Sequence, residues 1–271
     1  MPSAREWMGS LMLHAPAPLR SLRDVPMLGN FIHRLSHQIV PADERVWAQI
    51  KSGPARGLWI ELNPRTGQDY MRGDAEAAVQ KALAERLRPG MVFYDLGANI
   101  GLFSLLGARL VGPTGKVFSF EPDPEVAARL RRNVERNEFA NVTIVEAGIW
   151  SSSGHRNFTA AETASPDRGV GKFAAEENAA AGMAARSVAL DDFIQLAPAP
   201  DAIKCDIEGA EAEAFLGAEK LLQARRPWII CEMHSETDDA AVRSQLSRFG
   251  YTFEAIDGNH VLALPGDQRT E

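Results

Sequence analysis

The stretch "MVFYDLGANIGLFS", residues 91–104, decides the reading of this chain. An apolar run of strand type ends in Asp95, and Gly97 and Gly101 follow with Asn99 between them. Glycines at such spacing let a backbone turn come close to a ligand. An acid at the strand end can accept hydrogen bonds from a cationic or hydroxyl-bearing group, and Asn99 can hold the turn. The pattern is G-x-N-x-G, which departs from the dinucleotide fingerprint G-x-G-x-x-G. The next apolar run, "KVFSFEP", ends in Glu121, which follows Gly97 by 24 residues. That is close to the roughly 20 residues at which an acid after a second strand meets ribose hydroxyls. Turn and acid together predict a nucleoside-bearing cofactor.

Working outward, strand and helix patterns alternate. "MVFYDL", "KVFSFEP" and "VTIVEAGIW" predict strands, with helices in "IGLFSLLGARLVG" and "PEVAARLRRNVERNEF". A second set follows: "DAIKCDI", a helix in "AEAEAFLGAEKLLQAR", "PWIICEM" and a helix in "DDAAVRSQLSRFG". Near-continuous apolar strands in this rhythm predict a parallel sheet covered by helices on both faces. The end breaks the rhythm, because "YTFEAI" and "HVLAL" flank Asp257-Gly258, a dipeptide of two-residue hairpin turns. The expected fold is therefore α/β: a Rossmann-like sheet, mostly parallel, with a C-terminal antiparallel hairpin, of the kind methyltransferases have. Residues 1–72, with prolines at 16, 18, 26 and 41, read as an N-terminal cap or appendage to a domain over 73–271. Residues 151–185 are polar and Gly- and Ala-rich, and predict a long functional or mobile loop.

"DLGANIGLFS", "FEPDP", "VALDDF", "IKCDIEGAEAEAFLGAEKLL" and "PWIICEMH" resemble, in order and spacing, the FkbM family of S-adenosylmethionine-dependent methyltransferases, over roughly residues 55 to 265. The most specific part is the run from Lys204 to Glu211. The resemblance implies S-adenosyl-L-methionine as cofactor, with Asp95, Gly97, Asn99 and Gly101 around its methionine part. It also implies Glu121 on the ribose, and Glu146, Ala147 and Gly148 beside the adenine. The implied reaction is methyl transfer to the hydroxyl of a small molecule, sugar or natural product.

A hydroxyl attacking a methyl group must lose its proton, which calls for a general base or a divalent cation. Asp206 stands at the carboxyl end of the fourth strand of the parallel set, Glu232 and His234 at that of the fifth, and those ends face the ligand crevice in open α/β sheets. His234 is the side chain suited to proton abstraction near neutral pH, with Asp206 as orienter or alternative base. The same three residues, Asp206, Glu232 and His234, form the alternative as a metal set; a base without metal is the preferred reading. Strand alternation sets Lys204 on the face of Asp206, opposite Cys205, so Lys204 is either paired with Asp206 or Glu208 or, with Glu208, in contact with substrate. Glu208 and Glu211 also suit a helix start, and Asp191 and Asp192 in "LDDF" suit a cap for the short helix before "IQLAPAP".

Bulk properties narrow the partners. A formal net charge of -7 argues against nucleic acid as the main partner, and "RLRRNVER" reads as a solvated helix face. Cys205 and Cys231 lie in apolar strand runs and read as buried free thiols of a cytoplasmic protein. No apolar run reaches the roughly 18 residues of a membrane span. Trp7, Met8, Leu11, Met12 and Leu13 suit a cover over the crevice, a homodimer contact or a touch on a membrane-bound acceptor. The competing readings are a nucleotide-cofactor oxidoreductase, an RNA or amine methyltransferase, and a non-catalytic binding module. The first requires a third glycine and no terminal hairpin. The second lacks its aromatic-bearing Pro-Pro motif where "DIEG" stands, and the third requires loss of the acids that are all present.

Overall fold

The computed structural model describes residues 44–64, 66–159, 171–173 and 183–266. The chain begins there with a hairpin, β1 (Val46–Gln49) and β2 (Trp59–Leu62), and two helices, α1 (Gln68–Arg72) and α2 (Ala77–Arg86). There follow β3 (Val92–Leu96), α3 (Leu102–Val111), β4 (Lys116–Phe120), α4 (Pro124–Arg136) and β5 (Val142–Val145). The middle of the chain holds β6 (Gly148–Ile149), β7 (Gly154–Thr159), β8 (Lys172–Phe173), β9 (Met183–Val188) and α5 (Leu190–Phe193). The last part runs β10 (Ala202–Cys205), α6 (Glu211–Leu216), α7 (Glu219–Ala224), β11 (Trp228–Glu232), α8 (Glu236–Ser247), β12 (Tyr251–Ala255) and β13 (His260–Pro265).

Seven strands make the central sheet, in the order β12-β13-β11-β10-β3-β4-β5. Only β13 runs antiparallel to its neighbours, so the sheet is parallel with a terminal hairpin, as the sequence predicts. Alternation along the strands sorts their side chains onto two faces. Phe93, Val117, Ala202, Ile230 and Leu262 join one core with Leu83 of α2, Leu105 of α3 and Leu130 of α4. Tyr94, Phe120, Ile203, Cys231 and Ala263 join the other with Leu190, Phe215, Leu221 and Leu246. Each fully buried side chain of this size contributes about 1.5–3 kcal/mol relative to an exposed one. The β1–β2 hairpin belongs to the first core through Val46, Ala48, Ile60 and Leu62. Asn133 of α4 and Asn137, the residue just past its C-terminal end, fasten it by accepting from the Glu61 and Trp59 amides at 2.8 Å each.

Helix α4 shows how local sequence sets a boundary. Asp123 accepts from the Glu125 and Val126 amides, and Pro124 occupies the first helical position, where its missing N–H costs nothing.

Five expectations change. Residues 151–185 are not simply a loop: β7 and β9 pair antiparallel over residues 154–158 and 183–187 and join β6 and β8 in a separate four-stranded sheet. Only Phe158 of β7 is buried, so no apolar run betrayed the strand. Residues 160–170 and 174–182 lie outside the described residues. The run "VTIVEAGIW" splits at Glu146-Ala147 into β5 of the central sheet and β6 of the smaller one. The helix expected over 210–225 is two helices, α6 and α7. Asp191 does not cap its own helix, which starts at Ala189 without a side-chain cap. Its carboxylate instead accepts from the Lys220 and Leu221 amides at 3.0 and 2.9 Å, capping α7. The terminal turn is wider than two residues. Ile256 donates to the His260 carbonyl, and Asp257 Oδ1 accepts from the amides of Asn259 and His260, so the aspartate side chain organises the loop.

Cys205 and Cys231 are buried free thiols opposite one another on β10 and β11; burial raises the Cys205 pKa well above its ordinary value. Among the described residues no helix is long and apolar enough to cross a membrane. Trp7, Met8, Leu11, Met12 and Leu13 lie outside the described residues.

Candidate active site

The turn after β3 is held by its own backbone. Gly97 and Ala98 donate to the Phe120 carbonyl at 3.1 and 2.9 Å, fixing it against the end of β4. Asn99 sits in the left-handed region at φ 49, and its Oδ1 accepts from the next amide, Ile100, at 2.7 Å. Its own amide donates to Glu121 Oε2 at 2.9 Å, while Glu121 Oε1 accepts from Asp123 at 3.0 Å. The acid expected on the ribose is thus tied directly to the turn expected around the methionine part. Glu121 is 7% exposed, and burial pushes its pKa up to about 7 against the pull of those two amides.

The glycines have a different immediate reason from the one spacing suggested. At φ 77, a Cβ on Gly97 would be driven into the Asp206 carbonyl, and one on Gly101, at φ 98, into Leu130 Cδ1. In the structure the close approach at both positions is made by protein: Gly97 seats the turn on the end of β10, and Gly101 seats α3 against α4.

Asp95 is fully buried, and Oδ2 accepts from Ser104 at 2.5 Å. Ser104 in turn accepts from Ser119 at 2.7 Å. Oδ1 of Asp95 has no hydrogen-bond partner although it is shut off from solvent. Burial is the main cause of its raised pKa, with Lys204 opposing. An orphaned buried carboxylate oxygen beside the turn is the feature a cationic ligand group would satisfy.

One face of the sheet gathers the remaining groups. Asp95 lies opposite Lys204 across β3 and β10, and Glu232 opposite His260 across β11 and β13. Because β13 is antiparallel, its first residue comes to the carboxyl edge of the parallel strands. Lys204, 2% exposed, donates to Asp206 Oδ2 at 2.8 Å and lies 4.9 Å from the Phe103 ring centroid. Burial pulls the lysine pKa down, but Asp206, Glu76 and Asp95 outweigh it and hold the ammonium charged. Asp206 answers with a pKa below the usual carboxylate range: burial raises it, and Lys204 and His234 more than offset that.

His234 Nε2 stands 3.3 Å from Asp206 Oδ1 and 3.2 Å from Glu211 Oε1, in ion-pair range of both without the alignment of a hydrogen bond to either. Its Nδ1 is 3.8 Å from Glu208. Asp206 and Glu211 push the imidazole up to about 11, although burial opposes them, so it carries a proton at neutral pH in this arrangement. Glu232 is moved up to about 7, by burial first and then by the charge of Asp206. Glu208 is raised for the same two reasons and takes a left-handed backbone at φ 60. Donor atoms of Asp206, Glu232 and His234 all lie within 4.8 Å of one another, so the structure brings together the three residues proposed for proton removal.

Glu146, Ala147 and Gly148 follow β5, two strands from β3. Glu146 is exposed and paired with Arg131 at 2.5 Å, while Ala147 is buried and Gly148 lies under the Phe173 ring. Three site groups escaped the sequence reading. Glu211 has the sequence position of a helix-start acid, yet it is fully buried, with Oε1 accepting from Ile207 at 3.0 Å and Oε2 unpartnered. Glu76 stands at the start of α2 at φ 44, and His260 begins β13. Only His260 had a legible signal, since an antiparallel last strand must begin at the carboxyl edge.

The chain is similar to known proteins. Residues 95–253 match the methyltransferase FkbM domain. The hexuronic acid methyltransferase AglP of Haloferax volcanii is 30% identical over 179 residues, 65% of this chain and 69% of that protein. The 31-O-demethyl-FK506 methyltransferase FkbM of Streptomyces tacrolimicus is 35% identical over 112 residues, 41% of this chain and 38% of that one. A solved methyltransferase FkbM from Methylobacillus flagellatus overlaps 66% of this chain and 44% of its own at 20% identity, with a TM-score of 0.48. The order of β3, Glu121 and the Lys204–Glu211 run, on a parallel sheet with a terminal hairpin, therefore has one account: the chain belongs to the FkbM methyltransferase domain family and is an S-adenosylmethionine-dependent methyltransferase.

Proposed function

We propose that this enzyme methylates a hydroxyl of a small polar acceptor, a sugar or a sugar-like natural product, and that the proton leaves to a carboxylate of the cluster of Asp206, Glu232 and His234, in which the protonated His234 positions the carboxylates. One observation carries the reading: Gly97 of the cofactor turn packs on the Asp206 carbonyl, so the cluster adjoins the turn. S-adenosylmethionine, when bound, supplies a methyl group made electrophilic by its sulfonium. The buried, unpartnered Oδ1 of Asp95 suits its amino group, and Glu121 suits the ribose hydroxyls. Glu146, Ala147 and Gly148 border the adenine in this reading, Ala147 and Gly148 as a buried floor.

Lys204 fixes Asp206, and Asp206 with Glu211 orients the His234 ring. The positioned carboxylates and imidazole then surround the acceptor oxygen, and general-base assistance of this kind is worth about 10²–10⁴ in rate. A carboxylate-rich pocket favours an uncharged hydroxyl over an anionic acceptor group, because like charges in a half-buried site repel strongly. Of the two relatives, the name of the 31-O-demethyl-FK506 methyltransferase specifies transfer to oxygen and supports this class, and that of the hexuronic acid methyltransferase supports a sugar-like acceptor. The β1–β2 hairpin acts with the domain of 73–271 in this reading, since it shares its core.

The test offers a panel of neutral sugars, uronic acids and polyhydroxylated natural products with S-adenosylmethionine, and measures S-adenosylhomocysteine formed by wild type and by D206N, E232Q and H234A. Turnover on a hydroxyl acceptor that falls at least about 10²-fold in the variants supports the proposal. Full activity in all three variants refutes it.

A further inference from the structure

Beside the cluster assigned to proton removal lies a second one, and it points to a bound ion. His260 is 5% exposed, and its Nδ1 lies 2.8 Å from Asp257 Oδ1. The opposite ring nitrogen, Nε2, is buried and has no hydrogen-bond partner. It is aimed between two carboxylates, 3.3 Å from Glu76 Oε2 and 3.7 Å from Glu232 Oε2. Glu76 Oε2 is itself buried without a hydrogen bond.

We propose that Glu76, Glu232 and His260 form a divalent transition-metal site, with Asp257 holding the imidazole from behind. Three arguments support it. An aspartate on one ring nitrogen fixes the tautomer that presents the other nitrogen's lone pair, the usual outer support of a metal-bound histidine. Two donors bound to one ion at roughly 2.1 Å stand no more than about 4.2 Å apart, and the His260–Glu76 and His260–Glu232 separations of 3.3 and 3.7 Å fall inside that limit. One imidazole with two carboxylates suits Mn(II), Fe(II) or Zn(II).

The neighbouring set of Asp206, Glu232 and His234 is the weaker candidate for an ion, although its donor atoms are equally close. There the Lys204 ammonium already occupies the ligand oxygen Asp206 Oδ2 by a direct hydrogen bond at 2.8 Å, whereas it makes no such bond to Glu76, Glu232 or His260. Glu232 belongs to both sets, and a metal on the His260 side would also fix that carboxylate beside the proton-accepting cluster. The proposal is independent of the acceptor's identity, because it is read by binding alone.

The test strips the full-length protein with a chelator and titrates it with Mn²⁺, following free ion by electron paramagnetic resonance and heat by calorimetry. One Mn²⁺ binds the wild type, H260Q and E76Q weaken it by about tenfold or more, and H234A leaves it in place. Asp257 lies in the loop between β12 and β13, so D257N tests the site without opening the core, and is expected to weaken binding by about 10–100-fold. Circular dichroism confirms that each variant is folded. Absence of binding to the wild type at millimolar Mn²⁺ and Zn²⁺ overturns the proposal. So does binding that H234A abolishes and that H260Q and D257N leave unchanged. Failure of the O-methylation reading would appear only in the turnover panel, so the two are distinguishable.

Discussion

Replacing Glu121 with glutamine separates what this residue costs the fold from what it does for the cofactor. The carboxyl is 7% exposed, and its pKa rises from 4.5 to about 7, chiefly through burial. At about 1.4 kcal/mol per tenfold in proton affinity, that shift costs the folded state about 3 kcal/mol once both states are ionised. The sign follows from the order of titration. Below about pH 4.5 both states hold the proton and nothing is lost. As pH rises towards 7 the unfolded chain ionises first and the folded protein lags, so stability falls, and above about 7 the loss is complete. E121Q has no such titration. The glutamine also turns an amide donor towards one of the two backbone N–H groups, at Asn99 and Asp123, an unfavourable contact of about 1–3 kcal/mol that does not vary with pH.

Chemical denaturation of the cofactor-free proteins should therefore show the wild type losing about 2–3 kcal/mol relative to E121Q between about pH 5 and pH 8. If Glu121 holds the ribose as proposed, S-adenosylhomocysteine should bind the wild type more tightly as pH rises to about 7, because an ionised carboxylate accepts hydrogen bonds from hydroxyls, and E121Q should bind it about 10–100-fold more weakly. A stability difference that stays constant within about 0.5 kcal/mol across this range would mean that the Glu121 carboxyl titrates alike in the folded and unfolded protein.

Three further outcomes follow. K204M strands Asp206 and Asp95 without their buried cation, and urea melts should show a loss of about 3–5 kcal/mol; a change under about 1 kcal/mol would mean that the ion pair is not the support it looks to be. G97A forces a Cβ into the Asp206 carbonyl at a left-handed backbone position, so it should cost about 2–4 kcal/mol and weaken S-adenosylhomocysteine binding, both read by thermal shift with and without the nucleoside. D191A removes the acceptor for two α7 amides and should cost about 1 kcal/mol in the same melts while leaving turnover unchanged.

Much of the sheet was legible because buried parallel strands announce themselves as apolar runs, and because Asp95 and Glu121 end two such runs at the spacing a nucleoside requires. The terminal hairpin was legible from Asp257-Gly258 and its flanking strands, although the aspartate organises a wider turn than the dipeptide suggested. The small sheet of β6 to β9 was not, because β7 buries one side chain and shows no period. The clustering of Asp206, Glu232 and His234 followed from strand ends alone. Glu76 could not be foreseen, since its place depends on how α2 lies over the sheet and no local pattern encodes that packing. The protonation of His234 was only half legible, because it arises from Asp206 together with Glu211, and the sequence position of Glu211 fits a helix start just as well.

The central claim is methyl transfer to oxygen, and the most direct measurement supplies S-adenosylmethionine labelled with ¹³C in its methyl group, together with the acceptor panel, and follows the label by NMR. A new O-methyl carbon signal is expected on a hydroxyl-bearing acceptor, absent with D206N. Label arriving on nitrogen or carbon, with no O-methyl product from any acceptor, would contradict it.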